Sequence, residues 1–148
     1  MPITSLPSPY GIGTLGKSAY DFIDFLSQAG QKWWQILPLG PTSYGDSPYQ
    51  ALSSFAGNPY LIDFDLLIED GLLTKDEVKR HYWGNDKNKI DYGAIYSNRY
   101  SILYSAYIKG KEKYKKEIEE FKEENFSWLE DYTLFMALKR HYGMKSVI

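Results

Sequence analysis

Two hydrophobic periods alternate along the first third of this chain. From Lys17 to Ala29 the apolar residues Tyr20, Phe22, Ile23, Phe25, Leu26 and Ala29 recur at helical spacing, with Asp21, Asp24, Ser27 and Gln28 on the other side. That pattern predicts an amphipathic helix, with Ser18 as its N-cap and Gly30 as its stop. Trp33 to Leu39 is nearly continuously apolar, as in a strand covered on both faces of a parallel sheet, with Pro38 at its end. Pro2, Pro7 and Pro9 keep the opening segment extended. Extended segment, helix and strand in this order suggest a βαβ unit.

The later pattern is helical. Tyr60 to Leu67 fits either a strand or a short helix, and Gly71 ends it. Thr74-Lys75-Asp76-Glu77 is a capping box that opens a short helix, and Ser127-Trp128-Leu129-Glu130 is a second one, beginning a helix that runs to about His141. Tyr96, Tyr100, Leu103, Tyr104, Tyr107 and Ile108 define a helix with a wide apolar face, interrupted by Gly110. Lys111 to Glu124 is dominated by charges of both signs, the mark of a solvated helix. Glu112–Lys116 and Lys113–Glu117 are the expected i,i+4 pairs. Asn85 to Asn88 is a polar loop.

Composition narrows the function classes. The chain has 148 residues, a net charge of −2 and no cysteine, so disulfides and thiolate metal sites are excluded. The absence of a strongly basic face argues against nucleic acid as the main partner. No apolar run reaches the roughly 18 residues of a membrane span, and Met1-Pro2-Ile3 does not open a signal peptide. A cytoplasmic protein without a membrane partner is expected. Aromatic residues make up 17 % of the chain, including 14 tyrosines.

Between Gly40 and Asp63 those tyrosines fall in a Gly/Pro-rich loop, where no helical or strand period explains them. Tyr44, Tyr49 and Tyr60 alternate there with Thr42, Ser43, Asp46, Ser47, Gln50 and Ser53. Sugars combine weakly apolar ring faces with hydroxyl edges, and tyrosine matches both with a flat face and a polar tip. Other motifs carry less. Gly11-Ile12-Gly13-Thr14-Leu15-Gly16 fits the dinucleotide pattern, but no clean strand precedes it and Leu37-Pro38-Leu39 supplies no ribose-binding acid. It reads as a tight turn into the helix. His81 and His141 stand alone, which suits structural roles better than a metal site or a triad. Asp46 is the one acid inside the aromatic loop and reads as structural or substrate-orienting.

The segments S-L-P-S-P-Y-G-I-G (Ser5–Gly13), W-Q-I-L-P-L-G-P (Trp34–Pro41), Y-G-D-S-P-Y-Q (Tyr44–Gln50) and S-S-F-A-G-N-P-Y-L-I-D (Ser53–Asp63) together resemble the 4-α-glucanotransferases, also called amylomaltases or disproportionating enzymes. Asp91-Tyr92 and Leu134–Lys139 extend the resemblance to the whole chain. It implies a (β/α)₈ TIM barrel that transfers α-1,4-glucan segments between maltooligosaccharides by a retaining double displacement, without a cofactor. It implies a donor-side sugar contact at Tyr49, with Ser47 and Asp46 nearby, and a second glucan site at Tyr44 and Tyr96. It assigns no catalytic residue to this chain. A complete barrel takes roughly 250 residues or more, so the resemblance covers only the first strands and a helical insertion, with Met1 falling inside the first strand. The expected fold class is therefore α/β, a partial barrel that is helix-rich as an isolated fragment. Residues 1–64 form its βαβ-type portion with the glucan-site loop, and 65–148 a mainly helical insertion. Unpaired strand edges predict self-association of the fragment, and the resemblance, which puts the catalytic carboxylates downstream of this chain, implies that the fragment is inactive. The alternatives are a small carbohydrate-binding module and a helical interaction protein built on Tyr92–His141, both without catalysis.

Overall fold

The computed structural model describes residues 1–43 and 45–145. Its regular elements are the helices α1 (Lys17–Gln28), α2 (Phe64–Glu69), α3 (Lys75–Lys79), α4 (Tyr92–Gly110), α5 (Lys115–Glu124) and α6 (Phe126–His141), with 3-10 turns at Ile3–Ser5 and Pro59–Leu61. They fall into two compact units, Met1–Gly110 and Lys111–Ile148.

The α1 helix forms where its periodicity placed it and ends at Gly30. The Gln31 N–H reaches the Leu26 carbonyl at 2.9 Å and the Gly30 N–H reaches Ser27 at 3.0 Å, while Gly30 takes φ +72°. This is a Schellman ending, which needs a left-handed residue at that position. The start differs from the sequence expectation. Gly16 is the N-cap, and the Ser18 hydroxyl instead donates to the Pro7 carbonyl at 2.8 Å. The buried residue of α1 is Ala19, outside the predicted apolar face, while Tyr20, Ile23 and Phe25 of that face are exposed. Phe22 meets Trp34 edge-on, with ring centroids 4.9 Å apart.

Trp33 to Leu39 forms no strand here, so the pairing expected of a βαβ unit is not seen among the described residues. Among the described residues there is no β-strand, only an isolated antiparallel bridge between Thr42 and Ala51. A strand is defined by a ladder of bonds to a neighbour, and here no neighbour is supplied. The apolar segment is left facing solvent, with Trp33 91 % exposed.

The core of the first unit is built around α4. Five of its six buried residues, Ile95, Arg99, Ile102, Ala106 and Gly110, are spaced by four, three, four and four, which is one face of a helix, and Ala94 adjoins it. Ile102 and Ala106 pack with Phe64, Leu73 and Val78 of the α2–α3 region, and Ile95 packs with Ile12 and Tyr60. Ile3, Leu6, Ala19 and Leu61 make a third cluster. The tyrosine face predicted as apolar is turned outward: Tyr96, Tyr100, Tyr104 and Tyr107 are exposed. The buried side carries aliphatic side chains together with Arg99, and the exposed tyrosines keep their polar tips at the surface.

The first capping box forms as expected, with Thr74 and Glu77 bonding reciprocally. The second does not. Asn125 sits between α5 and α6 and uses its own side chain, donating to the Phe121 carbonyl at 2.9 Å and accepting from Trp128 Nε1 at 3.1 Å. That places Ser127 inside the first turn of α6. Residues 111–114 are a turn rather than helix, and ion pairs described in the second unit include Lys116–Glu120 at 3.1 Å and Lys122–Glu119 at 2.7 Å. Among the described residues no helix is long and apolar enough to cross a membrane.

Glu77 also pairs with Lys109 of α4 at 2.6 Å. That bond and the bonds to Thr74 hold its carboxyl down to about 2, against an ordinary value of 4.5. A depressed carboxylate contributes stability that is present above its unfolded value and is lost as pH falls through the folded one. Glu77→Gln should therefore lower Tm at neutral pH. The gap to the parent protein should close as pH is taken from about 5 toward 2, as followed by circular-dichroism melting.

Candidate functional site

The Tyr-rich loop is a closed structure with a narrow neck. The Leu39 carbonyl accepts from the Asn58 N–H at 2.7 Å and the Pro41 carbonyl from Leu52 at 2.8 Å, next to the Thr42–Ala51 bridge. Two turns shape the interior: Asp46 N–H to Ser43 at 3.1 Å and Gln50 N–H to Ser47 at 3.1 Å. Gly45 and Asp46 take successive positive φ values, 95° and 54°. Glycine adopts this freely, and aspartate is among the few other residues that tolerate it.

The loop returns through Asn58, whose side chain accepts from the Tyr60 N–H at 2.9 Å and starts the Pro59–Leu61 turn. This turn drives Tyr60 into the protein. Its ring lies 6.5 Å from Tyr92 and 5.9 Å from Tyr100, and Tyr100 meets Tyr96 edge-on at 6.1 Å. A cleft of about 100 Å³ opens between the loop and this cluster, lined by residues that include Leu37, Thr42, Asp46, Pro48, Tyr60 and Tyr92. Asp46 is the only carboxylate among its described lining residues. Burial raises the Asp46 carboxyl above its ordinary range. The Tyr60 and Tyr92 hydroxyls are also pushed up, chiefly by burial, with the negative charge of Asp46 adding to both.

The structure thus brings Asp46 together with Tyr60 and Tyr92. Ser47 is half-buried in the second turn, outside the cleft lining. Tyr49 stands at the loop surface, 75 % exposed, and Tyr96 lies on the outer side of α4, 56 % exposed. Tyr44 lies outside the described residues. Sequence reasoning counted Tyr60 among the sugar-compatible loop tyrosines without assigning it to a site, and gave Tyr92 and Arg99 no site role. The signal for Arg99 was present: a lone cation in register with Ile95 and Ile102.

The remaining motifs resolve as packing. A Cβ on Gly13 would stand 2.0 Å from the Ile3 carbonyl oxygen, and one on Gly16 would stand 2.1 Å from Asp63 Oδ2. These glycines serve close approach rather than a nucleotide. Asp63 caps α2 and accepts from the Thr14 hydroxyl. Asp65 accepts from the Tyr10 hydroxyl at 2.5 Å. His81 Nδ1 bonds with Asn98 Oδ1 at 3.2 Å. Among the described residues no group of three or more His, Cys, Asp and Glu side chains could hold a metal.

The desolvated Asp46 carboxylate gives a pH-dependent expectation. Because its folded value is raised, ionisation weakens the fold as pH rises past the ordinary carboxylate range. Asp46→Asn should raise Tm at pH 7, and the pH-dependent part of that gain should vanish below about pH 3, where the parent carboxyl is protonated too. Calorimetric melting across that range measures it.

Comparison with known proteins places this geometry. The 4-alpha-glucanotransferase family profile (glycoside hydrolase family 77) matches residues 1–147. A 4-alpha-glucanotransferase of Clostridium butyricum is 53 % identical over 146 residues, covering 99 % of this chain and 30 % of that protein. The Thermus thermophilus 4-alpha-glucanotransferase is 49 % identical over 144 residues, 95 % of this chain and 28 % of its own length. Among solved structures, amylomaltase from Streptococcus agalactiae in complex with acarbose superposes with a TM-score of 0.93 at 44 % identity, covering 99 % of this chain and 30 % of that one. The chain thus spans about 30 % of the length of the relatives it matches. With nearly every residue matched by the family profile, this chain belongs to the 4-alpha-glucanotransferase family.

Proposed function

We propose that this chain supplies one wall of the glucan site of a 4-α-glucanotransferase, which moves α-1,4-glucan segments between maltooligosaccharides by a retaining double displacement without a cofactor. The observation that carries the reading is the necked loop 39–58, which presents Tyr49 to solvent and Asp46 to a tyrosine-lined cleft. Tyr49 stacks on a donor-side sugar ring, with Ser47 and Asp46 orienting its hydroxyls. Tyr96, together with Tyr44, forms a separate glucan contact. In the assembled enzyme Trp33–Leu39 is a barrel strand, residues 1–64 belong to the barrel and 65–148 to a helical insertion. The setting is cytoplasmic.

The reaction itself lies with residues outside this chain. Retaining transfer needs a nucleophile and an acid/base about 5 Å apart. In the cleft Asp46 is the only carboxylate among the described lining residues, while Asp63 and Asp65 are bonded to Thr14 and Tyr10. The chain alone should give no glucose or longer maltodextrins from maltotriose; any turnover refutes this assignment. Calorimetric titration with maltoheptaose should detect weak binding that Tyr49→Ala reduces about tenfold, the loss of one stacking contact. Binding unaffected by Tyr49→Ala removes Tyr49 from the site.

Trp33, Ile36, Leu37 and Leu39, and Tyr20, Ile23 and Phe25 of α1, are exposed apolar side chains, and exposed apolar surface drives association. Sedimentation should therefore show concentration-dependent self-association. A monomer at all concentrations would overturn this.

A further inference from the structure

Arg99 projects from the middle of α4 and is fully buried. Its Nε donates to the Pro59 carbonyl at 3.4 Å and its Nη2 donates to the Ile62 carbonyl. The guanidinium lies 4.2 Å from the centroid of the Phe64 ring. Nη1 is buried without an acceptor among the described residues. No described carboxylate pairs with it directly. A cation placed in the interior with two carbonyls, one ring face and an unmet donor is a poor way to obtain stability. Departures of this kind from local packing rules mark functional constraints.

What the guanidinium holds explains the arrangement. Pro59 and Ile62 flank the turn that carries Tyr60. Just before it, the Asn58 N–H is bonded to the Leu39 carbonyl at the neck of the Tyr-rich loop. Arg99 therefore joins α4 to the base of that loop through both ends of one turn. Tyr60, on that turn, packs against Tyr92 and lines the cleft with Asp46. A planar fork can engage two carbonyls at once, whereas a lysine ammonium is a point donor on a flexible stem.

We propose that Arg99 is a positioning residue for the glucan cleft, fixing the Tyr60–Tyr92 wall relative to the loop that carries Asp46 and Tyr49. The inference rests on the reading of this cleft as a glucan site and deepens it.

The test uses Arg99→Lys and Arg99→Met in this chain. Three quantities are read: Tm, the NMR ring resonances of Tyr60 and Tyr92 (assigned with Tyr60→Phe and Tyr92→Phe), and the Kd for maltoheptaose well below Tm. Both variants should shift the two ring resonances in the folded protein. Each should weaken maltoheptaose binding about tenfold, as small misplacements of a site do, whatever the change in Tm. Arg99→Lys should not rescue the effect despite keeping the charge. Ring resonances left in place, or displaced with unchanged affinity, overturn the proposal, and so does a variant that lowers Tm alone. If the unsubstituted chain binds no maltoheptaose, the glucan reading fails. Shifted rings in Arg99→Lys would then still support Arg99 as the residue that holds this wall, and unmoved rings would refute it.

Discussion

The Asp63 carboxylate is the junction on which the first unit depends. One oxygen accepts from the Asp65 and Leu66 N–H groups at 2.9 and 3.1 Å and so starts α2. The other accepts from the Thr14 hydroxyl, beside a glycine whose missing Cβ leaves the space. Its negative charge also opposes the cost of burying Arg99, whose guanidinium is brought down to about 10 by desolvation, yet remains a cation at neutral pH. One acid thus links the N-terminal loop, the α2 cap and the interior of α4. Bonds of this kind to a charged acceptor are worth roughly 1.5–3 kcal/mol each, a large part of the stability of any small domain.

From that junction the site follows by short steps. Leu61, two residues before Asp63, accepts from the Leu15 N–H at 2.9 Å, so the Pro59–Leu61 turn is held by the N-terminal loop on one side and by Arg99 on the other. Tyr60 has little freedom to leave the tyrosine cluster. The loop beyond Asn58 is different. Its interior is held by turns and one bridge.

The apolar segment Trp33–Leu39 shows the opposite case, an apolar sequence without a strand partner among the described residues. Its composition is that of a buried strand, and its exposure here is the consequence of having nothing to pair with.

Local signals were readable from the sequence wherever the deciding interaction is local. The period of α1, its left-handed stop at Gly30 and the Thr74–Glu77 box depend on residues within a few positions of each other, and each formed as expected. The reading of loop 40–63 as a sugar-compatible surface rests on residue types alone, and the proposed glucan site builds on it. Where the sequence misled, a competing contact won: Ser18 bonded to Pro7, Asn125 displaced Ser127 as the start of α6, and α4 buried the face with Arg99 instead of its tyrosines. Only the tertiary structure could join Asp46, Tyr60 and Tyr92 around one cleft or place Arg99 against the carbonyls of Pro59 and Ile62. Those contacts span tens of residues, and no periodicity along the chain encodes which distant groups will share a desolvated space.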